Sequence, residues 1–135
     1  VTKLDVNLIN GIALAFEGDA VYSMYVRRYL IFTGQTKPNQ LHRLATKYVS
    51  AKAQAMLINL MLEENFLTEK EQEIYKRGRN ANSNTKAKNT DIVTYKMSTG
   101  FEAVMGYLHM TEQIDRLEIL IDWCIAHISG KEKGV

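Results

Sequence analysis

The chain has 135 residues, 46% hydrophobic and 24% charged, with a formal net charge of +2. This is enough for one globular domain with a sizeable core, and it excludes a disordered chain. The lone Cys124 excludes an intrachain disulfide, and no run of eighteen apolar residues suggests a membrane span. With no signal peptide in view, the expected location is cytoplasmic and no membrane partner is expected.

The single proline, Pro38, and the scarcity of alternating β-branched runs predict an all-α fold. Leu8 to Ile31 reads as one long, mostly apolar helix, with Glu17 and Asp19 its only charges between Ile12 and Val26. At ~100° per residue, Ile12, Phe16, Asp19, Ser23, Val26 and Leu30 share a face, so Asp19 is expected to point toward packed protein. Gly18 beside it adds ~1 kcal/mol of helix cost relative to Ala. Two local costs side by side mark a candidate functional position. Gly34 suits the left-handed end of this helix, and Pro38 suits the first turn of a short one over Asn39 to Tyr48.

Ser50 is the expected cap for Ala51 to Glu64, whose core face carries Ala55, Leu57, Ile58, Leu60, Met61 and Leu62. Thr68 and Glu71 form a capping box that opens a helix running to about Arg79. Glu69, Glu71 and Glu73 read there as a solvated, dipole-compensating face. Asn80 to Asn89 has no apolar residue except Ala81 and Ala87 and is expected to be a loop. Helices follow over Thr90 to His109 and Thr111 to Ile128, and residues 130–135 are expected to fray. Cys124 lies among Leu120, Ile121, Trp123 and Ile125, as a buried structural thiol would.

Ser98 to Leu108 has the same character as the first helix. Glu102 is its only charge, flanked by Gly100 and Gly106. Two lone carboxylates beside glycines on apolar helices suit a shared divalent cation, for which Mg²⁺ has the right hardness. Alternatively, each pairs with an arginine or a backbone donor.

Lys76 to Thr90 holds Lys76, Arg77, Arg79, Lys86 and Lys88 without an acid, interleaved with Asn80, Asn82, Asn84 and Asn89. Cations neutralise phosphates, and short amides and hydroxyls suit a duplex read by shape and 2′-hydroxyls. The competing reading is a solvated loop. The stretch has no aromatic residue, which argues against a single-strand stacking platform. A second basic group comprises Arg27, Arg28, Lys37, His42, Arg43, Lys47 and Lys52. His109 and His127 are too scattered for a zinc site, and no P-loop or Rossmann fingerprint is present.

Gly18-Asp19-Ala20-Val21 and Phe101-Glu102-Ala103 through Gly106 resemble the two acidic motifs of the ribonuclease III family. Asn10-Gly11, Tyr25-Val26-Arg27, Lys37-Pro38-Asn39, Leu41-His42, Val49-Ser50-Ala51-Lys52, Arg77-Gly78-Arg79-Asn80 and Lys88-Asn89-Thr90-Asp91 resemble the bacterial Mini-III subgroup. The resemblance spans about Leu8 to Leu120. The larger enzymes carry acids where this chain has Ile12, Ala15 and Thr99, and the subgroup shares this thinner set.

The resemblance implies a single all-α catalytic domain over residues 1–135, its core at about 8–128, without a double-stranded-RNA-binding domain and acting as a homodimer. It implies Mg²⁺-dependent hydrolysis of double-stranded RNA at Asp19 and Glu102, with 5′-phosphate and 3′-hydroxyl products. It also implies a 23S ribosomal RNA precursor as substrate, and no DNA. Lys76, Arg77, Arg79, Asn80, Asn82, Lys86 and Lys88 are the expected RNA contacts. Phe16 matches the family position whose ring enters the partner subunit. Glu17 stands where the family is apolar, near the same interface. It lies ~200° round the helix from Asp19, away from the metal. The alternative function is a non-catalytic RNA-binding or ribosome-associated module with this fold.

Overall fold

The structure, a computed structural model, describes residues 4–81 and 91–130. Those residues are all-α, with no strand among them. A short 3-10 turn at Val6–Leu8 precedes α1 (Gly11–Phe32), α2 (Pro38–Val49), α3 (Ala51–Glu63), α4 (Glu69–Arg79), α5 (Ile92–Met110) and α6 (Ile114–Ser129).

Side-chain caps set most of the helix starts. Asn10 Oδ1 accepts from the Ala13 N–H, Ser50 Oγ from that of Ala53 and the Asp91 carboxylate from that of Thr94. The Thr68–Glu71 capping box is complete in both directions. Sequence alone starts the first helix at Leu8 and the fifth at Thr90; the Asn10 and Asp91 caps move these starts to Gly11 and Ile92. Glu112 takes a left-handed φ of 60°, so α6 begins at Ile114 rather than Thr111.

The hub of the fold is α5, which packs against α1, α3, α4 and α6. From Ser98 to Leu108 every residue of α5 except Glu102 is buried. A helix apolar on all sides belongs in the middle of a bundle. Phe101, Met105 and Leu108 meet Leu14, Tyr22, Leu57, Ile58, Met61, Leu117 and Leu120 in one core, and Cys124 is buried there too.

Where α1 crosses α5 the backbones nearly touch. A Cβ on Gly18 would fall on the Glu102 carbonyl oxygen, and one on Gly106 on the Leu14 carbonyl oxygen. Only glycine permits that approach. It also decides which side of α1 is inside: Gly11, Leu14, Ala15, Gly18, Val21, Tyr22, Val26 and Leu30. Periodicity places Phe16 and Asp19 on the packed face, but both are exposed in this chain. Val26 and Leu30, expected on that face, are buried; because α1 is apolar nearly all round its pattern fits more than one side, and the glycine crossing turns the Phe16–Asp19 side outward.

Glu71 is a second correction. Sequence reads it as solvated, yet it is 3% exposed. The Arg116 guanidinium donates to both its oxygens at 2.9 Å and to the Phe66 carbonyl at 2.7 Å. This bidentate pair fastens the start of α4 to α6.

Candidate active site

Asp19 and Glu102 come together through the glycine crossing. Gly18 sets Asp19 at the seam on α1, and the backbone that Gly18 touches is that of Glu102 itself. The two carboxyls lie within hydrogen-bonding reach of each other. Burial, then the hydrogen bond and the charge of Asp19, push the Glu102 carboxyl up to about 8. At pH 7 Glu102 therefore keeps a proton and donates it toward Asp19.

One polar neighbour works the other way. Gln54, on α3, donates from Nε2 to Glu102 Oε2 at 3.3 Å, which favours the ionised form. Sequence reasoning does not single out Gln54. A signal is nonetheless present, because Gln54 shares a helix face with Leu57, Ile58 and Met61 at i+3, i+4 and i+7.

Neither Asp19 nor Glu102 forms an ion pair among the described residues. The reading in which each meets an arginine is not realised there. Two adjacent oxygen donors without a cation, one holding its proton against the other, suit a hard divalent ion. Among the described residues no group of three His, Cys, Asp or Glu could hold a metal. An ion bound here would rely on Asp19 and Glu102 for its charged ligands and complete its shell with water or substrate oxygens. Of the three positions where larger ribonuclease III enzymes carry acids, Ala15 is buried and Thr99 donates its hydroxyl to the Tyr95 carbonyl at 3.1 Å. Ile12 is exposed at the first turn of α1.

The other expected site residues separate. Lys76 is exposed on α4. Arg77 points back toward the amino terminus and donates to the carbonyls of Asn7 at 2.9 Å and Ile9 at 3.3 Å. Arg79 lies over the Tyr75 ring at 5.5 Å and bonds the side chain of Asn80, the α4 C-cap. Asn82, Lys86 and Lys88 lie outside the described residues. Phe16 is 84% exposed, so it takes no part in the core of its own chain. Glu17 Oε2 lies 2.6 Å from His109 Nδ1, a partner on α5 that sequence does not suggest.

A helical bundle with paired carboxyls at a glycine crossing is a recognisable arrangement, and a family model agrees. The ribonuclease III domain matches residues 12–113. The chain belongs to the ribonuclease III family. Within it, the chain is 77% identical to the Mini-ribonuclease 3 of Streptococcus pneumoniae, over 94% of this chain and 99% of that one. It is 60% identical to the Mini-ribonuclease 3 of Enterococcus faecalis, over 92% and 94%. Among solved structures, a crystal structure of a Fusobacterium nucleatum protein superposes with a TM-score of 0.81 at 26% identity. That match covers 93% of this chain and 98% of the other.

Proposed function

We propose that this ribonuclease III family endoribonuclease hydrolyses phosphodiester bonds in double-stranded or structured RNA, using Mg²⁺ held by Asp19 and Glu102. The observation that carries the reading is the carboxyl pair itself, brought together by two glycines and paired with no cationic side chain among the described residues. A fold kept only for binding has no use for that costly arrangement.

Asp19 stands on the exposed surface of α1, where solvent or substrate can reach it. Glu102 stands behind it, half-buried, and must release its proton to ligate. An Mg²⁺ ion held by Asp19 and Glu102 would lower the pKa of a coordinated water and offset negative charge on the leaving oxygen. The residues' own contribution is to hold two oxygens in fixed register on two tightly crossed helices. No serine, cysteine or histidine nucleophile is required. The products are a 5′-phosphate and a 3′-hydroxyl.

Lys76, Arg79, Asn80, Asn82, Lys86 and Lys88 supply phosphate and groove contacts at and after the end of α4. Arg77 contributes there mainly by fixing the amino-terminal segment against α4. The working form is a homodimer joined through the exposed α1 face that carries Phe16 and Glu17. The 84% exposure of Phe16, with the exposed Met24 two turns further along the same helix, supports this, since a large apolar ring facing water suits a contact. The motifs that resemble the Mini-III subgroup, Lys37-Pro38-Asn39 and Lys88-Asn89-Thr90-Asp91 among them, favour a 23S ribosomal RNA precursor in the cytoplasm as the substrate. No described helix is long and apolar enough to cross a membrane.

Incubation of a long duplex RNA with and without Mg²⁺, followed by an exonuclease that requires a 5′-phosphate, tests the reading. Mg²⁺-dependent fragments that the exonuclease degrades are expected. Shifted but uncut RNA would favour the binding module.

A further inference from the structure

Gln54 is only 2% exposed, on a face of α3 otherwise lined by Ala53, Leu57, Ile58 and Met61. A buried amide there costs stability unless its hydrogens are used. Its Nε2 serves two acceptors, the Val49 carbonyl and Glu102 Oε2, each at 3.3 Å. Both lie at the long end of the hydrogen-bond range.

The Val49 carbonyl belongs to the joint where α2 ends and α3 begins. That joint has a second tie. The Tyr22 hydroxyl, one turn after Asp19 on α1, donates to the Tyr48 carbonyl at 3.1 Å. The Tyr22 ring meets Phe101, the residue before Glu102, edge-on at 4.9 Å between centroids. The joint is thus bonded both to the helix bearing Asp19 and, through Gln54, to Glu102 itself.

We propose that Gln54 is a positioning residue, whose amide ties the Glu102 carboxylate to the α2–α3 joint and holds it in the direction needed for the divalent cation. The inference rests on the reading of Asp19 and Glu102 as the metal-holding pair. A side chain that acts through a ligand in this way is commonly worth ~10–100-fold in metal affinity.

Gln54→Met keeps length and approximate volume and loses both N–H groups. Calorimetric titration of the RNA-free full chain with Mg²⁺ should show a dissociation constant raised roughly tenfold or more, in a protein that still folds by circular dichroism. In the unaltered protein, the ¹H–¹⁵N signals of the Gln54 side-chain amide should move during the same titration, with the same midpoint. That second measurement decides the matter if the variant does not fold. A folded Gln54→Met protein whose Mg²⁺ affinity stays within about twofold of the original would overturn the proposal. Gln54 signals unmoved at Mg²⁺ saturation would do the same. An unaltered protein that binds no Mg²⁺ would instead remove the metal-pair reading, and the inference with it.

Discussion

Gly18 on α1 and Gly106 on α5 face each other, each occupying space that a Cβ on the other helix would need. A Cβ on either would strike backbone, which cannot rotate away as a side chain can. Gly18→Ala and Gly106→Ala should each cost about 3 kcal/mol or more, the upper end for overpacking. They should also separate Asp19 from Glu102. Thermal unfolding and cleavage rate together check this. Any folded fraction should cut RNA poorly even with its stability restored by cooling.

The Glu102 proton gives a pH dependence whose sign can be stated. The carboxyl sits at about 8 in the folded protein against an ordinary value of 4.5. The folded state therefore binds more protons than the unfolded one between those values. In the absence of metal, stability from this group falls as pH rises through that window. Asp19→Asn removes the charge that helps raise Glu102, so it should stabilise the metal-free protein above pH 8 while abolishing cleavage. Mg²⁺ binding to the original chain at pH 7 should release protons, read by calorimetry in two buffers of different ionisation heat. No proton release would contradict the assignment of Glu102.

Glu71 titrates in the opposite sense. Burial pushes its carboxyl up, but the Arg116 bonds and charge and the Thr68 bonds together hold it below the ordinary value of 4.5. Its contribution is present above pH 4.5 and is lost as pH falls through the lower folded value. Arg116→Met leaves the buried carboxylate without its cation. It should cost about 3 kcal/mol at pH 7, the low end for a buried pair because the Arg116 side chain is 26% exposed. The loss should shrink in acid, where Glu71 can protonate, and urea unfolding at pH 7 and pH 4 measures the difference.

Arg77 and its neighbours should behave differently on substitution. Arg77→Ala removes two charged hydrogen bonds to the Asn7 and Ile9 carbonyls and should lower stability by about 2 kcal/mol. Replacing Lys76, Arg79, Lys86 and Lys88 with Ala should barely change stability. It should flatten the salt dependence of RNA binding by roughly 0.7 to 0.9 for each phosphate that is no longer neutralised. An unchanged slope would show that these cations only face solvent.

Phe16→Ala should weaken self-association by roughly 30-fold or more, about 2 kcal/mol, as an aromatic anchor does. Any fall in its unfolding midpoint should depend on protein concentration, because Phe16 adds nothing to the core of its own chain and acts only through the dimer. Glu17→Met should tighten the dimer by removing a charge from the same face, although His109 already meets that charge within the chain. Sedimentation across a concentration series measures both. A weaker dimer in Glu17→Met would overturn the idea that the Glu17 charge opposes association.

Much of this architecture is legible in the sequence because the local rules agree with the fold. Asn10, Ser50, Thr68 and Asp91 cap helices with the side chains their types suggest, and Pro38 and Gly34 punctuate where expected. The two acids stand out because apolar residues and glycines surround each of them. What stays hidden depends on tertiary pairing. Glu71 looks like any first-turn acid until Arg116, far along the chain, is placed beside it. Gln54 lies on a core face, but nothing local says which acceptor it meets. Periodicity puts Phe16 and Asp19 on a face with Val26 and Leu30, of which only the last two are buried in the chain, because hydrophobicity alone fits more than one side of that helix.

The claim on which the rest depends is that Asp19 and Glu102 together hold the cation for RNA cleavage. Its most direct test is the rate of cutting of a labelled duplex RNA across a Mg²⁺ series, for the unaltered chain, Asp19→Asn and Glu102→Gln. Both amide variants should fold, bind the duplex and fail to cut it at any Mg²⁺ concentration. Undiminished cleavage by Glu102→Gln would contradict the claim.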